Sequence, residues 1–151
     1  MARAAAQQRK SVTVENLVGG RAALGVGPHA RLDWVIVVRK GLPALTVEAL
    51  TASLGLTQAE IARNLGISER TLVRRKREGA LTSEESDKIV RLARLVARAA
   101  EVFESLDVAL DWLDSRNAAL GGASPFSLLD TEVGAQSVQD TLGRIEHGVF
   151  A

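Results

Sequence analysis

One stretch of the sequence combines residue types and spacings suited to reading nucleic acid. It runs from Gln58 to Arg77 and reads QAEIARNLGISERTLVRRKR. A helix-turn-helix needs a small residue where its helices cross and a residue that tolerates positive φ in the tight turn. Ala62 and Gly66 meet these needs, and four apolar residues have the spacing to pin the helices together: Ile61, Leu65, Ile67 and Leu72. The stretch therefore predicts a helix-turn-helix.

The second helix of this motif would carry the DNA contacts, because its first residues enter the major groove. The candidate residues are Ser68, Glu69, Arg70, Thr71, Val73, Arg74, Arg75 and Arg77. Arg70 and Arg74 are four residues apart, so they share a face and can read guanine or neutralise phosphate. The hydroxyls of Ser68 and Thr71 can hydrogen-bond phosphate, and the basic residues that follow would add affinity through the backbone.

Arg75 departs from the pattern, since helix-turn-helix motifs usually keep an apolar residue at this position. The departure predicts a second helix that is short or rotated at its end. The alternative to a DNA reader is a small helical bundle whose basic face is only solvated.

The charges are divided unevenly along the chain. Residues 1–100 hold 17 of the 19 Lys and Arg and 9 of the 18 acids, for a net charge of +8, whereas residues 101–151 have a net charge of −7. A basic half can meet a polyanion, and an acidic half would be repelled by one, which favours a protein partner for it. The alternative is that the two halves form salt bridges with each other.

Catalytic chemistry has few candidates in this sequence. There is no cysteine, and the two histidines, His29 and His147, have no partner at metal-ligand spacing. We expect no catalytic residue, no metal, no cofactor and no enzymatic activity. No apolar run approaches the ~18 residues of a membrane span and the first residues do not resemble a signal peptide, so we expect a cytoplasmic protein with no membrane partner.

The pattern along the chain predicts an all-α fold. The run RLDWVIVVRKG would suit a strand, but Leu32, Val35 and Ile36 share a helical face and Gly41 would end a helix, so we predict a helix there. Thr57 with Glu60 and Thr82 with Glu85 match capping boxes. The second box opens a long helix whose apolar stripe is Ile89, Leu92, Val96 and Ala99, and shorter helices follow, the last from about Ala135 to Glu146.

We predict that the chain has three parts. Residues 1–28 carry five glycines or prolines between residues 18 and 30 with no clean period, and are predicted to be a flexible tail. Residues 29–81 form the helix-turn-helix domain, and residues 82–151 form the long helix and a small C-terminal domain. We expect the core of that domain to include Trp112, Leu113, Phe126, Leu128 and Leu129.

The C-terminal half resembles the Xre/MbcA/ParS antitoxins of bacterial toxin–antitoxin pairs. The resemblance rests on EVFES, ALDWLDSRNAALGGASPFSLLDTEVG and the closing LGRIEHGVFA, and it extends upstream through ESDKIVRLARLVARA and the helix-turn-helix. It covers roughly residues 31 to 151. Its specific features are Trp112-Leu113, Asn117, Leu120-Gly121-Gly122, Pro125 and Gly143-Arg144-Ile145.

The resemblance implies a two-part protein with an N-terminal helix-turn-helix and a C-terminal toxin-binding domain. The implied partner is a RES-domain toxin that consumes NAD or transfers its ADP-ribose, and the C-terminal end of the antitoxin would cover the toxin's substrate cleft. Dimers would bind the operator DNA of their own promoter and repress it. The alternative is a stand-alone dimeric transcriptional regulator whose C-terminal half serves dimerisation. The long helix could then pair with a copy of itself through Ile89, Leu92 and Val96.

The candidate toxin contacts are Asn117, Arg144, Glu146, His147, Val149 and Phe150. We expect Gly148 to end the last helix and the residues after it to project as an apolar tip. Against a cleft, Phe150 would be an anchor and Arg144 a source of hydrogen bonds. The alternative is that Phe150 folds back onto its own domain.

Overall fold

A computed structural model describes residues 12–148. The regular elements in this range are helices, with no strands among them, so the predicted all-α fold is confirmed. The only pairing of β type in this range is an isolated bridge between Pro43 and Ala80. The described residues divide into two compact units, 14–93 and 94–148, with residues 12 and 13 grouped with the second.

The first unit contains six complete helices and the start of a seventh. They are α1 (Val14–Leu17), α2 (Gly20–Leu24), α3 (Arg31–Lys40), α4 (Leu45–Leu54), α5 (Gln58–Leu65), α6 (Glu69–Glu78) and α7 (Ser83–Phe103), which continues into the second unit. Its core is made of leucine and isoleucine side chains from several of these helices, including Leu50, Ile61, Leu65, Leu72 and Ile89. These residues recur at helical spacing, which is why the sequence predicts their burial.

The structure differs from the predicted flexible tail over residues 14–24. Leu17, Val18 and Leu24 are buried, and the Ser53 hydroxyl donates a hydrogen bond to the Leu17 carbonyl at 3.0 Å. Helices α1 and α2 have four and five residues and are separated by Gly19, whose φ is +96°. Helices this short have no period to detect, and glycine is read from sequence as a break.

Helix α3 confirms the choice of helix over strand for residues 31–40, but its apolar face is not packed. Leu32 and Ile36 are 74% and 65% exposed, and Val35 is also exposed. None of the ten residues of α3 is fully buried. This unit therefore presents an apolar helix face to solvent.

The second unit contains the remainder of α7, then α8 (Leu106–Asp114), two 3-10 turns (Ala118–Leu120 and Pro125–Leu128) and α9 (Glu132–Glu146). Its buried residues include Ala109, Leu113, Phe126, Leu129, Val138 and Leu142. Of the predicted core, Trp112 and Leu128 are only half-buried. Helix α9 begins earlier than predicted, because the Thr131 hydroxyl accepts a hydrogen bond from the Gly134 amide and caps it there.

Helix α7 is continuous over 21 residues. The predicted capping box starts it, since Thr82 accepts from the Glu85 amide at 3.1 Å and Glu85 accepts from the Thr82 amide at 2.9 Å. The stripe of Ile89, Leu92, Val96 and Ala99 is buried within the chain. That stripe is therefore not available to a second copy, and the pairing of long helices considered from the sequence is wrong.

Candidate functional site

Helices α5 and α6 form the predicted helix-turn-helix. Ala62 is buried at the crossing, and Gly66 adopts φ +66° in the turn between the helices. Thr57 and Glu60 form a capping box at the start of α5, with hydrogen bonds of 2.8 and 3.1 Å. Ser68 starts α6 by accepting a hydrogen bond from the Thr71 amide at 3.1 Å. Caps at both starts fix where the second helix begins.

One face of α6 is basic and open to solvent. Arg70, Val73, Arg74 and Arg77 are exposed and follow one another at spacings of three or four residues, so they share this face. Val73, at the centre of this face, is 45% exposed. Within residues 12–148, neither Arg70 nor Arg77 has a carboxylate at ion-pair distance. Both guanidinium groups are therefore free to meet an anion.

Other basic side chains of α6 already have acidic partners. The Arg74 Nε lies 3.8 Å from Glu78 Oε1, and Lys76 forms an ion pair with Glu48 of α4. Because both pairs are exposed, each contributes little to stability, and a phosphate can compete for the cation.

The start of α6 carries the remaining candidates for DNA contact. Ser68 and Glu69 are exposed, whereas Thr71 is half-buried. The Ser68 hydroxyl donates to Thr71 Oγ1 at 2.8 Å. Both hydroxyls are thus engaged in the cap of α6, and Thr71 keeps less surface for a phosphate than the sequence alone indicates.

Arg75 differs from the prediction, because its side chain turns inward. Only 16% of it is exposed; its Nε donates to Glu85 Oε1 at 2.7 Å and its Nη1 to Glu78 Oε2 at 2.9 Å. The hydrogen bond to Glu85, followed by that to Glu78, raises the pKa of Arg75. Helix α6 keeps its full length to Glu78, so it is not shortened. The structure does not place Arg75 with the exposed arginines.

The last turn of α9 brings together three of the predicted toxin contacts. Arg144, Glu146 and His147 are exposed there, and the His147 amide donates to the Gly143 carbonyl at 3.1 Å, which closes the helix. Arg144 Nε lies 3.5 Å from the Asp140 carbonyl. Val149 and Phe150 lie outside the described residues.

Glu146 is held by Arg98 of α7 through both guanidinium Nη atoms. The hydrogen bonds from Arg98 lower the pKa of the Glu146 carboxyl and raise that of the Arg98 guanidinium. The pair joins residues far apart in sequence, so no local pattern could have revealed it. Any partner that needs a free carboxylate at Glu146 must compete with Arg98.

Asn117 lies in the turn between α8 and α9. Its Oδ1 accepts the Ala119 amide at 2.9 Å, and its carbonyl accepts the amides of Leu120 and Gly122. The side chain therefore shapes the 3-10 turn.

The second unit has an acidic surface. Seven of its exposed residues are acids without an ion-pair partner in the described part of the chain: Glu104, Asp107, Asp111, Asp114, Asp130, Glu132 and Asp140. Along residues 101–148 the only basic side chains besides His147 are Arg116 and Arg144. A surface of this kind complements a basic pocket and repels nucleic acid.

Residues 12–148 hold no group of three or more His, Cys, Asp or Glu arranged to bind a metal ion. None of their helices has the length and apolar character needed to cross a membrane.

Known families match both units in sequence. Residues 33–94 match the antitoxin Xre-like helix-turn-helix domain, and residues 98–148 match the antitoxin Xre/MbcA/ParS C-terminal toxin-binding domain. The chain is therefore a two-part protein that joins a DNA-binding helix-turn-helix to a toxin-binding domain.

Three curated relatives, each called antitoxin Xre, are similar over most of their length. The protein from Yersinia enterocolitica is 37% identical over 130 residues, which cover 83% of this chain and 88% of the relative. The protein from Photorhabdus laumondii is 34% identical over 127 residues, with 83% of each chain covered, and that from Pseudomonas putida is 33% identical over 124 residues, covering 80% of this chain and 77% of the relative. The chain belongs to the Xre/MbcA/ParS antitoxin family.

Proposed function

We propose that the protein is the antitoxin of a type II toxin–antitoxin pair. It binds and neutralises a RES-domain toxin that consumes NAD or transfers ADP-ribose, and it represses its own operon through the helix-turn-helix. The observation that carries this proposal is the pairing, on one chain, of a free basic helix face with a matched toxin-binding domain. Catalysis is not part of the proposed role, and the proposed location is the cytoplasm.

The proposed toxin surface comprises the end of α9 and the chain beyond it. Arg144 and His147 are exposed there, and Val149 and Phe150 follow directly. Glu146 contributes through its pair with Arg98. Asn117 acts indirectly by holding the turn between α8 and α9.

Co-expression tests the proposed neutralisation. Cells that express the cognate RES-type toxin should stop growing and should recover when this protein is produced. A catalytically inactive toxin serves as the growth control. Failure of rescue, together with no complex on gel filtration, would contradict the proposal.

The acidic surface gives the proposed partner a specific electrostatic requirement. A pocket that accepts a pyrophosphate needs basic groups, which the acids of the second unit complement. The double variant Glu132→Gln/Asp140→Asn should associate with the toxin more slowly than the wild type. This difference in association rate should shrink at high salt. Glu84→Gln, an exposed acid of the first unit, is the matched control. Unchanged rate and affinity would refute this electrostatic contribution.

We further propose a homodimer that pairs through the exposed face of α3. This helix has Asp33 in its first turn and Arg39 and Lys40 in its last. Two antiparallel copies would bury Leu32 and Ile36 between them, and this apolar contact carries the proposal, because Arg31 offsets the charge of Asp33 in the first turn. Operators read by helix-turn-helix proteins usually have two half-sites, which a dimer matches.

Sedimentation tests the dimer. Ile36→Asp should give a monomer at concentrations where the wild type is a dimer, because a charge would be buried at the interface. Val133→Asp alters a residue of the second unit that is 79% exposed and should leave the dimer intact. A dimer that persists in Ile36→Asp would exclude this face.

The proposed domain organisation keeps the helix-turn-helix domain at 29–81 and the toxin-binding part at 82–151. The alternative of a stand-alone regulator assigns dimerisation to the C-terminal half. The burial of the α7 stripe supports a dimer that does not pair through the long helices.

A further inference from the structure

We propose that Arg75 is a positioning residue for DNA reading: it orients α6 through Glu85 and makes no contact with DNA. The inference rests on the proposed binding of operator DNA. It reverses the role that the sequence indicates for Arg75, and it assigns Glu85, an acid, to the DNA-reading machinery.

The direction of the side chain is the first reason. Successive residues of an α-helix are turned by about 100°, so Arg75 points away from Arg70 and Arg77, which lie on one face. Its guanidinium is occupied by Glu85 at 2.7 Å and Glu78 at 2.9 Å. A phosphate on the exposed face would have to compete with both carboxylates for this guanidinium.

The rigidity of the partner is the second reason. Glu85 is buried, and its Oε1 accepts both Arg75 Nε and the Thr82 amide. Burial by itself would raise the pKa of Glu85, but the hydrogen bonds from Arg75 and Thr82 outweigh it and lower this pKa. The carboxylate is thus charged and fixed where α7 begins.

The segment around Glu85 is itself anchored to the chain before α4. The Leu81 amide donates to the Leu42 carbonyl at 2.9 Å, and the Ala44 amide donates to the Gly79 carbonyl at 3.0 Å. The Leu42 amide donates to the buried Ser86 hydroxyl at 2.8 Å. Arg75 therefore connects α6 to a part of the unit that is held by several buried backbone hydrogen bonds.

Packing leaves α6 in need of such a connection. A cavity of about 370 Å³ lies between α4 and α6, lined by residues that include Val47, Thr51, Leu72, Arg75 and Leu81. Of the side chains of α6, Leu72 alone is fully buried. Apolar contact thus fixes one point of α6, and the Ala44–Gly79 hydrogen bond holds the residue that ends it. The Arg75–Glu85 pair adds a side-chain tie from the last turn of α6 to the start of α7, and so contributes to the direction in which Arg70 and Arg74 point.

The salt dependence of operator binding separates positioning from phosphate contact. Each phosphate contact contributes about 0.9 to the slope of log K against log salt concentration. On a DNA fragment of the protein's own promoter, Arg77→Gln should reduce the magnitude of this negative slope by about 0.9. Arg75→Met should leave the slope unchanged while weakening specific binding by on the order of tenfold. A slope that falls equally in both variants would overturn the proposal.

Glu85→Gln provides a test with opposite expected signs. Removing an acid near DNA strengthens binding if only charge matters. If Glu85 acts by holding Arg75, this variant weakens specific binding and leaves the salt slope unchanged. Tighter binding in Glu85→Gln would contradict the positioning role. Glu84→Gln, its exposed neighbour, is the matched control.

A measurement without DNA keeps the two proposals apart. In the free wild-type protein, the Nε–H of Arg75 should exchange with solvent more slowly than that of Arg77, as observed by NMR. Equal exchange rates would overturn the internal pairing whether or not a variant folds. If the wild type fails to bind the promoter fragment while Arg75 Nε–H is protected, the proposed repression fails and the internal pair stands.

Discussion

Substituting alanine for glycine should have opposite effects on stability at two positions in α9. A Cβ at Gly134 would lie 1.9 Å from the Leu128 carbonyl oxygen, whereas a Cβ at Gly143 would meet nothing within 4 Å. Gly134→Ala should therefore destabilise the protein by about 1–3 kcal/mol, because backbone must move. Gly143→Ala should stabilise it by roughly 0.5–1 kcal/mol, because alanine favours the helix. Urea unfolding of both variants checks this, and equal effects would contradict it.

The Arg98–Glu146 pair makes stability depend on pH in the acid range. Hydrogen bonds from Arg98 lower the pKa of Glu146 in the folded protein. The pair is thus fully stabilising above the ordinary glutamate pKa, and its contribution is lost as the pH falls through the lowered value. Thermal unfolding should show Glu146→Gln to be less stable than the wild type at pH 7, with the difference vanishing in strong acid. A difference that is constant with pH would contradict the pair.

Among single residues, the sequence predicts those whose partners are near in the chain. Thr57 and Thr82 accept the hydrogen bonds that cap their helices, as expected from Glu60 and Glu85 three positions further on. The departure at Arg75 was visible in sequence, but its partner Glu85 lies ten residues away across a loop. Only the fold shows that a partly buried ion pair stands where the motif usually has an apolar side chain.

At the scale of the elements, the crossing of α5 and α6 depends on a small side chain. Ala62→Leu should cost about 1–3 kcal/mol, because the added carbons have no space where the two helices meet. Ala52→Leu in α4 is the control, since Ala52 is exposed and should tolerate the change. Thermal unfolding measures both, and a neutral Ala62→Leu would mean that the helices do not cross closely there.

Helical periodicity predicted the long elements and missed what tertiary structure decides. The apolar stripe of α7 and the helix-turn-helix follow from spacing alone. The stripe of Leu32, Val35 and Ile36 has the same kind of spacing, yet it faces solvent. Spacing shows that a face is apolar, and only the packing of the other helices shows whether this chain covers it.

At the scale of the whole molecule, the two proposed activities should separate. Arg70→Ala with Arg74→Ala should weaken operator binding by ~1–3 kcal/mol for each lost base contact and leave toxin neutralisation intact. Removing residues 144–151 should abolish neutralisation and leave operator binding intact. Gel-shift and growth-rescue assays on both variants measure this.

The control for this separation of activities is a measurement that the variants remain folded. Removal of residues 144–151 also removes Glu146 from Arg98, so the shortened protein should be compared with Glu146→Gln by circular dichroism. Loss of both activities in one folded variant would contradict a two-part protein.

The uneven charge along the chain predicted two kinds of partner before any fold was known. The basic half contains the exposed face of α6, and the acidic half contains most of the residues that match the toxin-binding domain. The sequence did not show where one unit ends, because the division falls inside α7, between Ala93 and Arg94. A helix without glycine or proline offers no composition change to mark such a division.

That uninterrupted helix limits how such a protein can evolve by exchange of parts. Recombination between related genes is easiest at loops, where a residue gained or lost changes little. Within α7, one inserted residue would rotate the residues that follow it by about 100° around the helix axis. Val96 and Ala99 would then no longer lie on the same face as Ile89 and Leu92. A hybrid that joins one relative's DNA reader to another's toxin binder must therefore preserve the exact residue count through this helix.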